Sequence, residues 1–235
     1  MGIDETARLV AEAARAMADA DDGPVTAETI TRQAVGLVAD AEWASLTVRA
    51  RRGSFTTLAA THETARDADG AQYKFREGPC VEASTTGGEW LRSGDVSTDP
   101  RWPRWGPDAA SRGVGSLLSV QLMSHDEPFG ALNLYSTAVG GFSDRGEITV
   151  AMLYATHAAI ALSSSRTVSN LTTALHSRHL IGVAQGILME RYGLDLERSF
   201  KLLRRYSNDL NAPLATVASD VVASGGLPPT TRTDA

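Results

Sequence analysis

Between residues 147 and 175 no proline or glycine interrupts the chain, and Ala151, Leu153, Tyr154, Ala158, Ala161, Leu162, Val168, Leu171 and Leu175 recur at helical spacing. The run is read as a continuous or nearly continuous helix. Ser163, Ser164 and Ser165 are its weakest point, because serine competes for backbone hydrogen bonds and favours caps over helix interiors; any hinge belongs there. The run also divides the chain, since helical and strand-like periods alternate before it and only helical ones follow it.

After the division, Leu180, Ile181, Ala184, Ile187 and Leu188 form one apolar stripe, with Arg178, Gln185 and Arg191 outside it. Gly193 ends this helix, since the residue after a last turn commonly takes a positive φ that glycine adopts without a Cβ clash. Asp195 is placed to cap a second helix that buries Leu196, Phe200 and Leu203. Arg198, Lys201, Arg205 and Asn208 make a polar stripe on that helix, with Arg204 and Ser207 beside it. Asn211 is expected to cap a third helix carrying Pro213 in its first turn and Leu214, Val217, Ala218, Val221 and Val222 on its buried side. Gly225, Gly226, Pro228 and Pro229 end it. His176 and His179 have a metal-compatible spacing, but no cysteine or carboxylate completes a ligand set, so no metal is expected.

The segment SRHLIGVAQGILMERYGLDLERSFKLLRRYSNDLNAPLATVASDVV resembles an ANTAR domain, with the likeness extending over about residues 171–227. The resemblance implies an RNA-binding module that acts as a dimer on paired hairpin loops of a nascent transcript and prevents formation of a terminator. The residues themselves suggest how. Arg198, Lys201, Arg204 and Arg205 are candidates for phosphates, flanked by Arg178 and Arg191. Tyr206 is a candidate to stack on a base, and Gln185, Ser207, Asn208 and Asn211 to hydrogen-bond to base edges. Gly186 would let an RNA backbone come close; otherwise Gly182 and Gly186 serve close helix packing. On chemistry alone the basic stripe reads as an ordinary solvated face, and the resemblance reverses that.

The net charge of −6 argues against a chain that binds nucleic acid over its whole surface, yet residues 166–227 hold seven basic and five acidic side chains. The electropositive element is therefore local. A single cysteine, Cys80, excludes an internal disulfide. No apolar run is read as spanning a bilayer, and a cytoplasmic protein is expected.

The first part of the chain reads as a helix over residues 3–20, a helix from a Thr26 cap to about Ala39, and a β-hairpin of residues 43–48 and 55–60. A short helix starts near Cys80, a strand lies around residues 89–91, and a helix spans about 107–112. Strands at 114–123 and 129–136 flank a turn at 125–128, and helix resumes at Asp144. Five to six strands framed by helices indicate an α+β domain with an antiparallel sheet, followed by a small three-helix, all-α domain. The segments EGPCVEA, DPRWP and GVGSLLSVQLMSHDEPFGALNLYS, in that order, resemble a bacterial GAF domain over about residues 1–164. That resemblance implies a sensor with a pocket for an unidentified small molecule on one side of the sheet, and dimerisation through flanking helices.

Tyr73, Cys80 and Trp102 are the pocket candidates, although core packing explains aromatic residues here equally well. Cys80 reads first as a small buried residue; a thiol near a helix N-terminus with a lowered pKa would permit redox sensing. No nucleophile–base motif, phosphate-cradling loop or catalytic carboxylate pair is present, so neither an enzyme nor a cofactor is expected. The expected organisation is a sensor domain at 1–164, an RNA-binding domain at 165–228 and a disordered tail at 229–235. The alternative is a protein-binding signalling adaptor with a ligand- or redox-sensing first domain.

Overall fold

The computed structural model describes residues 26–227 apart from 51, 52, 87, 125 and 126, together with Arg8 and Ala11, and without the side chains of 86 and 166–170. Most of the helix expected at 3–20 and the tail at 229–235 lie outside the described residues; Arg8 and Ala11 are helical. The chain divides into two compact units, Met1–Ser165 and Arg166–Ala235.

The first unit is built on a five-stranded antiparallel sheet of order β2-β1-β5-β4-β3. Its strands are β1 (Trp43–Arg49), β2 (Phe55–Ala60), β3 (Trp90–Ser93), β4 (Ser116–Ser124) and β5 (Glu127–Ser136). Helices α1 (Ala27–Leu37), α2 (Glu63–Phe75), α3 (Pro79–Thr86) and α4 (Trp105–Ser111) surround it, and α5 (Arg145–Tyr192) starts in this unit. Because side chains alternate along a strand, β1 presents Ala44, Leu46 and Val48 to one side of the sheet. There they join Leu118 and Leu122 of β4 and Leu132 and Leu134 of β5 against Ile30 and Ala34 of α1 and Ala151, Tyr154 and Ala158 of α5. Each fully buried leucine contributes about 1.5–3 kcal/mol. The Tyr154 hydroxyl donates to the Ile30 carbonyl at 2.9 Å and ties the two helices together.

The other side of the sheet is also covered. Leu117 and Tyr135 pack with Ala65, Ala68 and Ala71 of α2 and with Trp105 and Ala109 of α4, and Ala131 packs with Cys80 and Ala83 of α3. Burial on both sides leaves β5 buried throughout from 130 to 136. Helix α2 is absent from the sequence reading because its inward positions are small or polar: Ala65, Ala68, Asp69, Ala71 and Gln72. Alanine at spacing three was the available signal. Helix α4 begins two residues before the expected Pro107, since the Glu77 carboxylate accepts from the backbone N–H groups of Arg104 (2.9 Å) and Trp105 (3.2 Å) and so caps it from afar in sequence. Glu127 and Pro128, expected in a turn, belong to β5 opposite Ser124 and Met123, where the register shifts.

Contrary to the sequence reading, Arg145–Ser165 is long and apolar enough to cross a membrane by length and composition. Its apolar content has another use, since Val150, Ala151, Tyr154, Ala155, Ala158, Ala159 and Leu162 are buried in the first unit's core. Helix α5 is unbroken at the three serines, and the Ser163 hydroxyl donates to the Ile160 carbonyl at 3.0 Å, a bond that stays inside the helix.

The second unit contains the later part of α5, α6 (Leu196–Asp209) and α7 (Leu214–Ser224). Its core is Ala184 and Leu188 of α5, Leu203 of α6, and Val217, Ala218 and Val221 of α7. Gly193 takes φ 63° between the first two helices, and the Asp195 carboxylate accepts from the Arg198 N–H at 2.7 Å as the cap of α6. Two expectations fail here. Leu196 and Phe200 are 64% and 38% exposed, and the buried side of α6 is instead Ser199 and Leu203, with Leu202, Tyr206 and Leu210 half-buried beside them. Asn211 does not cap α7. It takes φ 47° just after Leu210, the C-cap of α6, while Pro213 occupies the N-cap of α7 with no side-chain bond. Asparagine tolerates the left-handed conformation better than other branched side chains, so it closes the preceding helix rather than opening the next.

Candidate nucleic-acid interface and buried polar cluster

The cationic side of α6 follows from what the helix buries. With Ser199, Leu203 and Tyr206 turned inward, Arg198, Lys201, Arg204, Arg205 and Asn208 are all exposed. Arg198 approaches Asp195 at 3.4 Å and Lys201 approaches Glu197 at 2.6 Å. Exposed pairs of this kind contribute about 0.2–1 kcal/mol, so an incoming phosphate exchanges for them readily. Arg204 and Arg205 have no ion pair or hydrogen bond among the described residues. Leu194 and Leu202 together with Arg198, Lys201 and Arg205 line a surface depression of about 290 Å³. Arg178, Gly186 and Asn211 are exposed as well.

Four other candidates are engaged inside the unit. Gln185 Nε2 donates to the Leu196 carbonyl at 3.0 Å, the Ser207 hydroxyl donates to the Ala212 carbonyl at 2.6 Å, and Arg191 donates to the Gly225 carbonyl at the end of α7. Tyr206 packs half-buried against the helical core. These contacts tie α5, α6 and α7 to one another and to the loops between them, which positions the cations.

In the first unit the sheet side facing α2 and α3 holds a buried polar cluster that the sequence reading missed. Its centre is Asp69, fully buried on α2. Asp69 Oδ1 accepts from Asn133 Nδ2 at 3.1 Å and from the Tyr135 hydroxyl. Its Oδ2 accepts from Thr57 Oγ1 at 2.8 Å and from Thr47 Oγ1 at 3.3 Å. Tyr73 lies 2.6 Å from the Thr47 hydroxyl and 2.8 Å from that of Thr57, and Asn133 also reaches Ser45 at 3.1 Å, while Ser119 donates to Asn133. Burial raises the Asp69 carboxyl above its ordinary value, against the opposing effect of the hydrogen bonds it accepts.

Cys80, on α3, lies against Thr47 and Asn133 of the same cluster, and burial followed by the Asp69 charge pushes its thiol up to about 12. That is the reverse of an activated thiolate, so position near a helix N-terminus does not prevail over desolvation here. Tyr73 and Cys80 are thus brought together around Asp69. Trp102 is not: it is buried edge-to-face on Trp105 at 5.7 Å, its Nε1 donates to Glu82 at 3.2 Å, and Arg101 lies over its ring at 4.2 Å. Among the described residues no group of His, Cys, Asp and Glu is arranged to hold a metal.

The first unit is thus an antiparallel sheet covered on both sides, and the second a three-helix unit with one cationic side. The chain belongs to the GAF family, whose domain model matches residues 1–163, and an ANTAR domain follows at 169–222. The fold is similar to the GAF domain of a phosphoenolpyruvate-protein phosphotransferase from Coxiella burnetii (TM-score 0.55, 13% identity, covering 70% of this chain and 96% of that one). It is also similar to the GAF domain of a sensor histidine kinase from Pseudomonas syringae pv. tomato (TM-score 0.51, 16% identity, 73% and 94% covered). A third likeness is to the chromophore-binding domain of a bacteriophytochrome from R. palustris (TM-score 0.53, 12% identity, 71% and 64% covered). No curated protein matches the chain. GAF and ANTAR are regulatory domains, and together they define an RNA-binding antitermination regulator with a sensor domain.

Proposed function

We propose that this chain acts as a homodimer whose ANTAR domain binds paired hairpin loops in a nascent transcript and prevents formation of a terminator, under the control of a small molecule sensed by the GAF domain. The observation that carries the reading is the exposed side of α6, where Arg204 and Arg205, without side-chain partners among the described residues, follow the weakly paired Arg198 and Lys201. Cations so placed neutralise phosphates, and Asn208 beside them offers an amide to a base edge. Self-association is supported by exposed apolar side chains on α5: Leu153 and Ile160 in the first unit, Leu171 and Leu175 in the second. Binding to nascent transcripts places the protein in the cytoplasm and requires no catalytic group, cofactor or membrane.

The test is a selection from RNA hairpins with randomised loops, using the full chain, with sedimentation of the protein alone and with the retained RNA. Retention of paired hairpins by a dimer is expected. A chain that retains no RNA above the level of unstructured competitor, yet captures a protein partner, would be an adaptor instead.

Gly182 and Gly186 bear on the same face of the question. Both are exposed on α5, and a Cβ at either would meet nothing within 4 Å, so packing inside the unit does not require them. Glycine in a helix interior costs about 1 kcal/mol relative to alanine. Gly182→Ala and Gly186→Ala are therefore expected to raise the melting temperature of the protein, with Gly186→Ala weakening RNA binding at the same time. Unchanged affinity in the stabilised Gly186→Ala protein would remove that residue from the RNA face.

A further inference from the structure

Three aromatic side chains occur after residue 165 in the described part of the chain: Tyr192, Phe200 and Tyr206. Tyr206 is packed into the helical core. Phe200 is exposed at 38% although its type and spacing suit burial, and Leu196 one turn before it is exposed at 64%. One turn after Phe200 stands Arg204, and Lys201 is its neighbour in sequence, so this aromatic ring sits at the margin of the cationic side of α6. Tyr192, 46% exposed, stands by contrast at the end of α5, two residues before Leu194 and outside α6 altogether.

We infer that Phe200 is the base-stacking residue of the RNA-binding face: an unpaired loop base lies on its ring while Arg204 and its neighbouring cations hold the flanking phosphates. The inference rests on the RNA-binding reading above and deepens it. An exposed aromatic ring beside cations is what unpaired RNA requires, because every base offers a π-face and its backbone is anionic. Contact with a second copy of α6 is disfavoured by charge. Self-association there would bring Lys201, Arg204 and Arg205 against the same cations of the partner, and the acids at the start of the helix, Asp195 and Glu197, are already paired with Arg198 and Lys201.

The experiment uses the full chain and, as probe, the hairpin RNA it retains from the randomised-loop pool. Phe200→Ala and Phe200→Leu are each expected to weaken binding about tenfold or more, the usual scale of one lost base stack. Phe200→Trp and Phe200→Tyr are expected to retain it, since the π-face is kept. Because the ring carries no charge, the slope of log affinity against log salt stays as in the wild type, whereas Arg204→Ala lowers it by about one. Tyr192→Ala serves as the exposed aromatic control and should bind normally. Wild-type affinity in Phe200→Leu, or a shift of that variant from dimer to monomer in sedimentation, overturns the inference. If the arginine replacements also leave affinity unchanged, the RNA-binding reading of α6 fails with it; if they alone weaken binding, only the stacking role of Phe200 fails.

Discussion

Replacing Arg204 and Arg205 together by alanine is expected to abolish nearly all RNA binding at physiological salt while the protein keeps its helical content and its oligomeric state. Both guanidinium groups are unpaired among the described residues, on the side of α6 away from the buried Ser199 and Leu203. Surface changes of that kind usually alter stability by no more than about 0.5 kcal/mol. Their loss removes two phosphate contacts, so the salt slope should fall by about two units, and by about one for either change alone. Lys201→Ala is expected to cost less than the double change, as one cation is lost and Glu197 is left unpaired in solvent. Titrations at several salt concentrations, with circular dichroism on the same samples, measure all three quantities. A folded double variant that binds as the wild type does would move the site off α6.

The second large effect belongs to the sensor domain. Asp69→Ala should destabilise the first unit by about 3 kcal/mol or more, because Asn133 and Tyr135 lose a buried acceptor and each unsatisfied group costs about 1–3 kcal/mol. Asp69→Asn should be far milder. The hydroxyls of Thr47 and Thr57 each bond to that of Tyr73 with either oxygen as donor, so Thr57 and Thr47 are able to turn and accept from a new N–H. The two variants also separate a pH effect. The folded carboxyl holds its proton to higher pH than the unfolded one. Between the ordinary carboxylate range and that raised value, only the folded state is protonated, and stability falls as pH rises through the window. Below the ordinary range both states are protonated and the contribution is fully present. Melting curves of wild type and Asp69→Asn across mildly acidic to neutral pH should therefore converge at the acidic end for wild type and lack this fall in the Asn variant. Equal pH dependence in both would show that Asp69 does not titrate in the window.

The β1–β2 hairpin, the antiparallel β4–β5 pair and the cap at Asp195 were legible in the sequence, because each rests on interactions within a few residues. Periodicity also located the cations of α6. It misplaced the apolar residues of the same helix: a leucine and a phenylalanine at spacing four look like a buried stripe, while the helix packs through Ser199 and Leu203 instead. Gln185 donates to the Leu196 carbonyl and Ser199 Oγ lies at 3.5 Å from the same amide, so a polar contact sets the roll of α6 against α5 and turns Phe200 outward. Such a contact joins residues of two helices, and no pattern along one helix records it.

What the sequence determined by itself was the order of the elements other than α2 and the two families they form, since hydrophobic period, turn residues and local motifs are properties of short stretches of chain. What only the tertiary structure decided was which polar residues are buried. Ser45, Thr47, Ser119 and Asn133 are polar residues that alternate with apolar ones along their strands, and none of the four has any exposure. They are buried because α2 lays Asp69, 64 positions before Asn133, against Thr47 and Asn133, and Asn133 in turn bonds Ser45 and Ser119, so that the cluster satisfies through space the hydrogen bonds that water would otherwise make. Burial of a polar group is settled by the partner it meets, and that partner is assigned by the fold.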